Sequence, residues 1–181
     1  MNADDLYGKR PRELRDAFRD GYALTPDDIA GFAYRGVSLG LPHLLVRLSW
    51  LTFQKVFVKD EERGMVRGFN VRLEQNGRHA PSVARTRGEG VPWTFGHFSV
   101  VTAKGRTKPE WERGVLLDYG AFTASRLPSP QDPLVSLRPD SADLLLGFTY
   151  LAVGRARIAT PSWFTLEREG PATFDAQPAK P

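Results

Sequence analysis

Residues 31–57, GFAYRGVSLGLPHLLVRLSWLTFQKVF, decide the fold because their hydrophobic period changes twice. In GFAYRGV the two-residue period of a strand places Phe32 and Tyr34 on one side and Ala33, Arg35 and Val37 on the other. Tyr34 is expected to point inward. Gly40 and Pro42 interrupt that strand, and Leu41, Leu44, Leu45, Leu48 and Leu51 then recur at helical spacing, which predicts an amphipathic helix. From Phe53 the two-residue period returns through FQKVFVK. The segment therefore reads as a first strand, a helix and a second strand, with the helix as a cap over whatever the sheet encloses.

Working outward, the charged turn DEERG at 60–64 reverses the chain into MVRGFNVRLEQ, a predicted hairpin ended by Asn76 and Gly77. Five more apolar segments follow: WTFGHFSVVT, GVLLDYGAF, LVSLRP, LLLGFTYLAV and SWFTLER. Clusters of Gly, Pro, Asp and Ser separate them. About eight strands result. Short consecutive strands with one helix among them favour a mainly β fold, an antiparallel up-and-down barrel that removes its own edges. Such a barrel is either filled by side chains or just wide enough for one small ligand. LLLGFTYLAV is apolar on both faces, so its outer face is expected to pack under helices or against a second copy of the chain, which makes a homodimer an expectation.

Before the barrel, Pro11 followed by RELRDAF puts Leu14 and Phe18 on one helical face and predicts a short helix near residues 11–20. Thr25 and Pro26 provide a cap and first position for one further turn. The expectation is one domain over 1–181: a helical segment at 1–30, the barrel at 31–169, and a mobile proline-containing tail at 170–181.

Composition narrows the function. The chain has 181 residues, 41% hydrophobic and 25% charged, as in an ordinary globular protein. No cysteine is present, so disulfides and thiol chemistry are excluded. The opening residues lack a signal-like apolar core, and no apolar run reaches the roughly 18 residues of a membrane span, so a cytoplasmic chain with no membrane partner is expected. The formal charge of +4 is diluted by interspersed acids, and the basic loops around Arg78, Arg85 and Arg87 and around Lys104, Arg106 and Lys108 carry no stacking motif. No nucleic-acid partner is expected. His43, His79 and His97 lie far apart without clustered carboxylates, so no metal is expected. Nor is a cofactor, since the glycines near 36–40 and 64–68 lack a nucleotide-binding context, and no G-x-S-x-G elbow suggests a serine hydrolase.

The segment from Gly31 to Gly36, the helix after it, Trp50, and Lys55-Val56-Phe57 resemble the opening of the GXWXG-type domain-of-unknown-function proteins. LLDYG at 116–120, DPLVSLRPDSADLLLG at 132–147 and SWFTLER at 162–168 are similar to their closing order. Tyr34 stands where that family has its namesake tryptophan. The resemblance implies a small lipocalin-like β domain and transfers no functional residue.

Aromatic density at same-parity strand positions points to a cavity lined by Tyr34, Phe69, Trp93, Phe95, His97, Phe148, Tyr150 and Trp163. Arg35, with Arg67 and Arg72, offers bidentate recognition of a carboxylate, and Asn70 a directional hydrogen bond. Their alternative role is at the barrel base or in solvent. His97 and Asp118 are the catalytic candidates, for proton transfer. Against this, His97 also reads as a buried hydrogen-bonded side chain and Asp118 as a turn residue or ion-pair partner. Asp118 and Tyr119 are adjacent, so only one of them faces inward. The leading expectation is a module binding a small apolar or amphipathic molecule. The alternatives are a small cofactor-free isomerase or cyclase using the same cavity, and a structural partner-binding protein.

Overall fold

The structure, a computed structural model, describes residues 2–39, 50–88, 90–122, 128–154 and 156–178. The described strands are β1 (Phe32–Leu39), β2 (Thr52–Asp60), β3 (Met65–Arg72), β4 (Thr86–Arg87), β5 (Val91–Pro92), β6 (Thr94–Thr102), β7 (Val115–Asp118), β8 (Ser129–Arg138), β9 (Ser141–Val153) and β10 (Ala156–Pro171). Eight of them form a closed antiparallel barrel in the order β1-β10-β9-β8-β7-β6-β3-β2, and β4 and β5 make a small separate ribbon. Closure comes from β1, which pairs with β2 on one side and with β10 on the other, Leu39 lying opposite Trp163. The expected up-and-down barrel is thus present. The helix expected after Pro42 falls, apart from Trp50 and Leu51, outside the described residues.

Helix α1 (Pro11–Arg19) and the single turn α2 (Pro26–Ile29) form where proline occupies the tolerated first turn. Leu14 and Phe18, the apolar face of α1, are buried against the outside of β8 to β10. There Phe18 meets Phe148 edge-on at 5.2 Å, and Phe148 meets Trp163 at 4.7 Å. The two apolar faces of β9 are explained by this packing: Leu144, Leu146, Phe148 and Tyr150 lie under α1 and the Trp111 turn, while Leu145 faces the barrel core.

A third apolar layer covers the outside of β1 to β3. Residues 172–176, in the tail expected to be mobile, lie along this wall. The Ala172 amide donates to Gly31 O at 2.8 Å, and Phe174 packs on Phe69 at 5.4 Å. The buried Arg67 guanidinium donates to Asp175 and to the Ala176 carbonyl, and it also reaches Asp60 at 3.2 Å.

Inside, the barrel divides into a filled half and a hollow half. At the α2 end, Leu24, Ile29, Tyr34, Phe57, Phe98, Leu117, Leu134, Leu145 and Leu166 form one buried cluster. At the opposite end, where β1 finishes and β2 begins, the interior is a cavity of about 390 Å³.

Candidate functional site

The cavity wall is built from the ends of several strands. Ser38 of β1, Phe53 and Lys55 of β2, Asn70 of β3, Phe95 and Gly96 of β6, Asp132 of β8, Thr149 of β9, and Ser162 and Phe164 of β10 all face it, joined by Trp50 and Tyr119. Most of this surface is apolar. Trp50 and Phe95 pack on each other at 4.4 Å.

The floor is polar and buried. Lys55 shares its strand face with Phe53 and Phe57, so the alternation that turns those rings inward turns the lysine inward too. Its side chain is 3% exposed and that of Asp132 is 4% exposed. Lys55 Nζ donates to Asn70 Oδ1 at 2.8 Å, to Tyr119 OH at 2.5 Å and to Asp132 Oδ2 at 3.3 Å. Tyr119 OH donates to Asp132 Oδ2 at 3.0 Å, and Thr149 Oγ1 donates to Asp132 Oδ1 at 2.8 Å. Asn70 Nδ2 donates to Gly96 O at 3.0 Å, which fixes its amide so that its oxygen points at the lysine. Every donor position of the ammonium is therefore used.

Four aromatic rings surround the same nitrogen. Nζ lies 5.0 Å from the Phe98 centroid, 5.2 Å from Tyr119, 5.3 Å from Phe164 and 5.4 Å from Phe53. Three of these rings rest on glycines. A Cβ on Gly36 would lie 2.3 Å from the Phe53 ring, one on Gly68 2.5 Å from Phe98, and one on Gly147 2.7 Å from Phe164. The backbone gives up side chains on the inner wall, and the rings occupy that space around the cation.

Two opposing influences set the charge of Lys55. Burial lowers its pKa by penalising the ammonium, and the Asp132 carboxylate partly offsets this by charge and hydrogen bonding. Burial, with the Asp132 charge added, pushes the Tyr119 phenol well above its usual range, so it stays protonated and can donate. The site can thus hold a neutral polar group that takes the place of one of these partners, the 3.3 Å contact to Asp132 being the longest, accept or release a proton at Nζ, and present an amine nucleophile.

The candidates read from sequence are distributed over three places. Asn70 and Phe95 belong to the cavity, and Tyr34 lies in the filled half, its hydroxyl accepting from Arg168 Nε at 3.2 Å. Arg35 lies on the outer side and holds the following loop, donating to Ser82 Oγ at 2.8 Å and Gly77 O at 2.9 Å. Phe69 and His97 are also outside, their rings 5.7 Å apart beside the tail. Burial and then the Arg67 charge lower the His97 pKa there. Trp93 stacks between Arg72 and Arg87, at 4.4 and 4.0 Å, and is not in the cavity wall. Phe148, Tyr150 and Trp163, expected inside, lie on the outer face under α1.

The correction for His97 has a local cause. Gly96 takes φ +53°, and the pairing of β6 with β3 shifts there, Asn70 opposing Phe95 but Gly68 opposing Phe98. This bulge inverts the parity within one strand, so Phe95 and Phe98 both face in while His97 faces out. Asp118 accepts the Gly120 amide at 2.9 Å, the turn role, and Tyr119 is the member of that pair that faces inward.

Lys55, Asp132, Tyr119 and Thr149 were not singled out as a group from sequence. The available signal was Phe53-x-Lys55-x-Phe57, a lysine in phase with two aromatics on a strand. Asp132 stands before Pro133 and so resembles a turn residue. Among the described residues, no three His, Cys, Asp or Glu side chains cluster as metal ligands, and no helix is long and apolar enough to cross a membrane. Compared with protein-family models, curated proteins and solved structures, the chain matches none, and the resemblance to the GXWXG-type proteins is neither supported nor opposed by that result.

Proposed function

We propose that the barrel binds one small, mainly apolar and uncharged molecule in the cavity, with a carbonyl or hydroxyl group directed at Lys55. The observation that carries this reading is a fully hydrogen-bonded polar cluster at the floor of an otherwise apolar space. A binding pocket of this kind is typically apolar, with few polar groups fixing orientation.

The charge balance supports a neutral ligand. Lys55 and Asp132 neutralise each other at 3.3 Å, so the floor has no net charge with which to repay the dehydration of an anion. At the barrel end Arg72 is already engaged, lying 5.4 Å from Trp50 and 4.4 Å from Trp93. Matched calorimetric titrations with cinnamyl alcohol and cinnamate test the reading. The alcohol is expected to bind the more tightly of the two. Tighter binding of cinnamate, or binding of neither, would sink it.

A further inference from the structure

We propose that Lys55 captures an aldehyde or ketone as a reversible imine, which makes a carbonyl compound the ligand class of the cavity. This inference rests on the proposed binding reading and goes further, from holding a neutral molecule to forming a bond with it.

The geometry is that of a reactive amine rather than a surface lysine. Nζ lies on the polar floor of the cavity, hydrogen-bonded to groups that serve the chemistry: an acceptor amide, a protonated phenol and a carboxylate. A buried ion pair is weak evidence for stability, since apolar residues of similar volume serve a core as well or better. The core around it is otherwise aromatic and aliphatic, so packing alone would be met by methionine. Burial also favours the neutral amine, the form that attacks carbonyl carbon.

The step balances without any oxidant or reductant. The Nζ lone pair forms a bond to the carbonyl carbon as the C=O π bond breaks, and the oxygen takes a proton, giving a carbinolamine. Tyr119 OH, 2.5 Å from Nζ, is placed to donate that proton and to recover one released from nitrogen through Asp132, 3.0 Å away. The C–O bond then breaks as the oxygen takes the proton that the ammonium first gave up to Asp132, and it leaves as water. Counted from the ammonium, the products are the protonated imine and one water, and net charge is conserved. Asp132 would serve as counter-ion to that iminium, and the rings of Phe53, Phe98 and Phe164 present their faces to it.

The test uses the full chain, cinnamaldehyde as probe, and cyanoborohydride to trap any imine as a stable secondary amine, located by peptide mass spectrometry. Lys59 and Lys104, both exposed, serve as internal controls. Trapping at Lys55 is expected to be at least about tenfold faster than at either control at neutral pH, because burial lowers its pKa and so raises the share of the neutral amine that attacks. Cinnamyl alcohol, which forms no imine, is expected to slow trapping at Lys55 and leave the controls unchanged. If the alcohol binds by calorimetry but Lys55 is trapped no faster than Lys59, the imine is refuted and the binding reading stands. If neither alcohol binding nor Lys55 trapping is seen, both fail. Because the experiment compares lysines within one protein, it does not depend on a Lys55→Met variant folding.

Discussion

Lys55 Nζ and the Asp132 carboxylate meet at 3.3 Å inside the barrel, with both side chains almost wholly withdrawn from solvent. Each is the other's counter-charge there. Asp132→Ala is expected to destabilise the protein by about 3–5 kcal/mol at neutral pH, the usual result of leaving a buried charge uncompensated. Chemical denaturation at several pH values checks this. Because Asp132 raises the Lys55 pKa, its removal lowers that pKa further, and the loss should shrink as the pH approaches the ordinary lysine value.

Burial of Lys55 gives wild-type stability a signed pH dependence. The folded-state pKa of Lys55 is depressed by burial, so between that value and the ordinary one the unfolded chain binds more protons. The cost of the buried ammonium is fully present below the folded-state pKa and is relieved as pH rises through the window. Relative to Lys55→Met, wild type should therefore gain stability with rising pH across that window, as read from paired urea titrations. A difference that is flat or falls with pH contradicts a depressed Lys55 pKa.

Gly68 lies against Phe98 so closely that an added Cβ would stand 2.5 Å from the ring and 2.5 Å from Val56 O. Gly68→Ala is expected to cost about 1–3 kcal/mol through overpacking and to displace Phe98 from Lys55. Cinnamyl alcohol affinity should fall with it. Thermal unfolding and calorimetry report the two effects separately.

Phe18 offers the complementary case, since it packs on Phe148 and Trp163 outside the barrel. Phe18→Ala should cost about 3–5 kcal/mol of stability, as for other buried aromatic truncations. Affinity for the alcohol should not change. A variant that stays folded but loses binding would place the ligand instead outside the barrel, in the cleft that Phe18 lines with Arg15, Trp111, Phe148 and Trp163.

The barrel was legible because its strands keep a two-residue period between turn residues, and closure follows from the number of short strands. Side-chain direction was harder to read, for two physical reasons. The bulge at Gly96 inverts parity in the middle of β6, so extrapolating from Phe95 sends His97 to the wrong face. In β9 both faces are apolar, and only the covering helix α1 determines that Phe148 and Tyr150 lie outside. By residue type Lys55 reads as a solvated side chain, and only its phase with Phe53 and Phe57 marks it as inward-facing. Within Asp118-Tyr119, the rule that only one faces inward held, and the tyrosine is that one.

The most direct measurement follows the side-chain resonances of Lys55 by NMR, in protein carrying 13C-labelled lysine, during titration with cinnamyl alcohol. A saturating shift of the Lys55 Cε signal is expected with Lys59 and Lys104 unmoved, because the ligand's hydroxyl reaches only the buried amine. Saturable binding of the alcohol that leaves the Lys55 signal unmoved would contradict it.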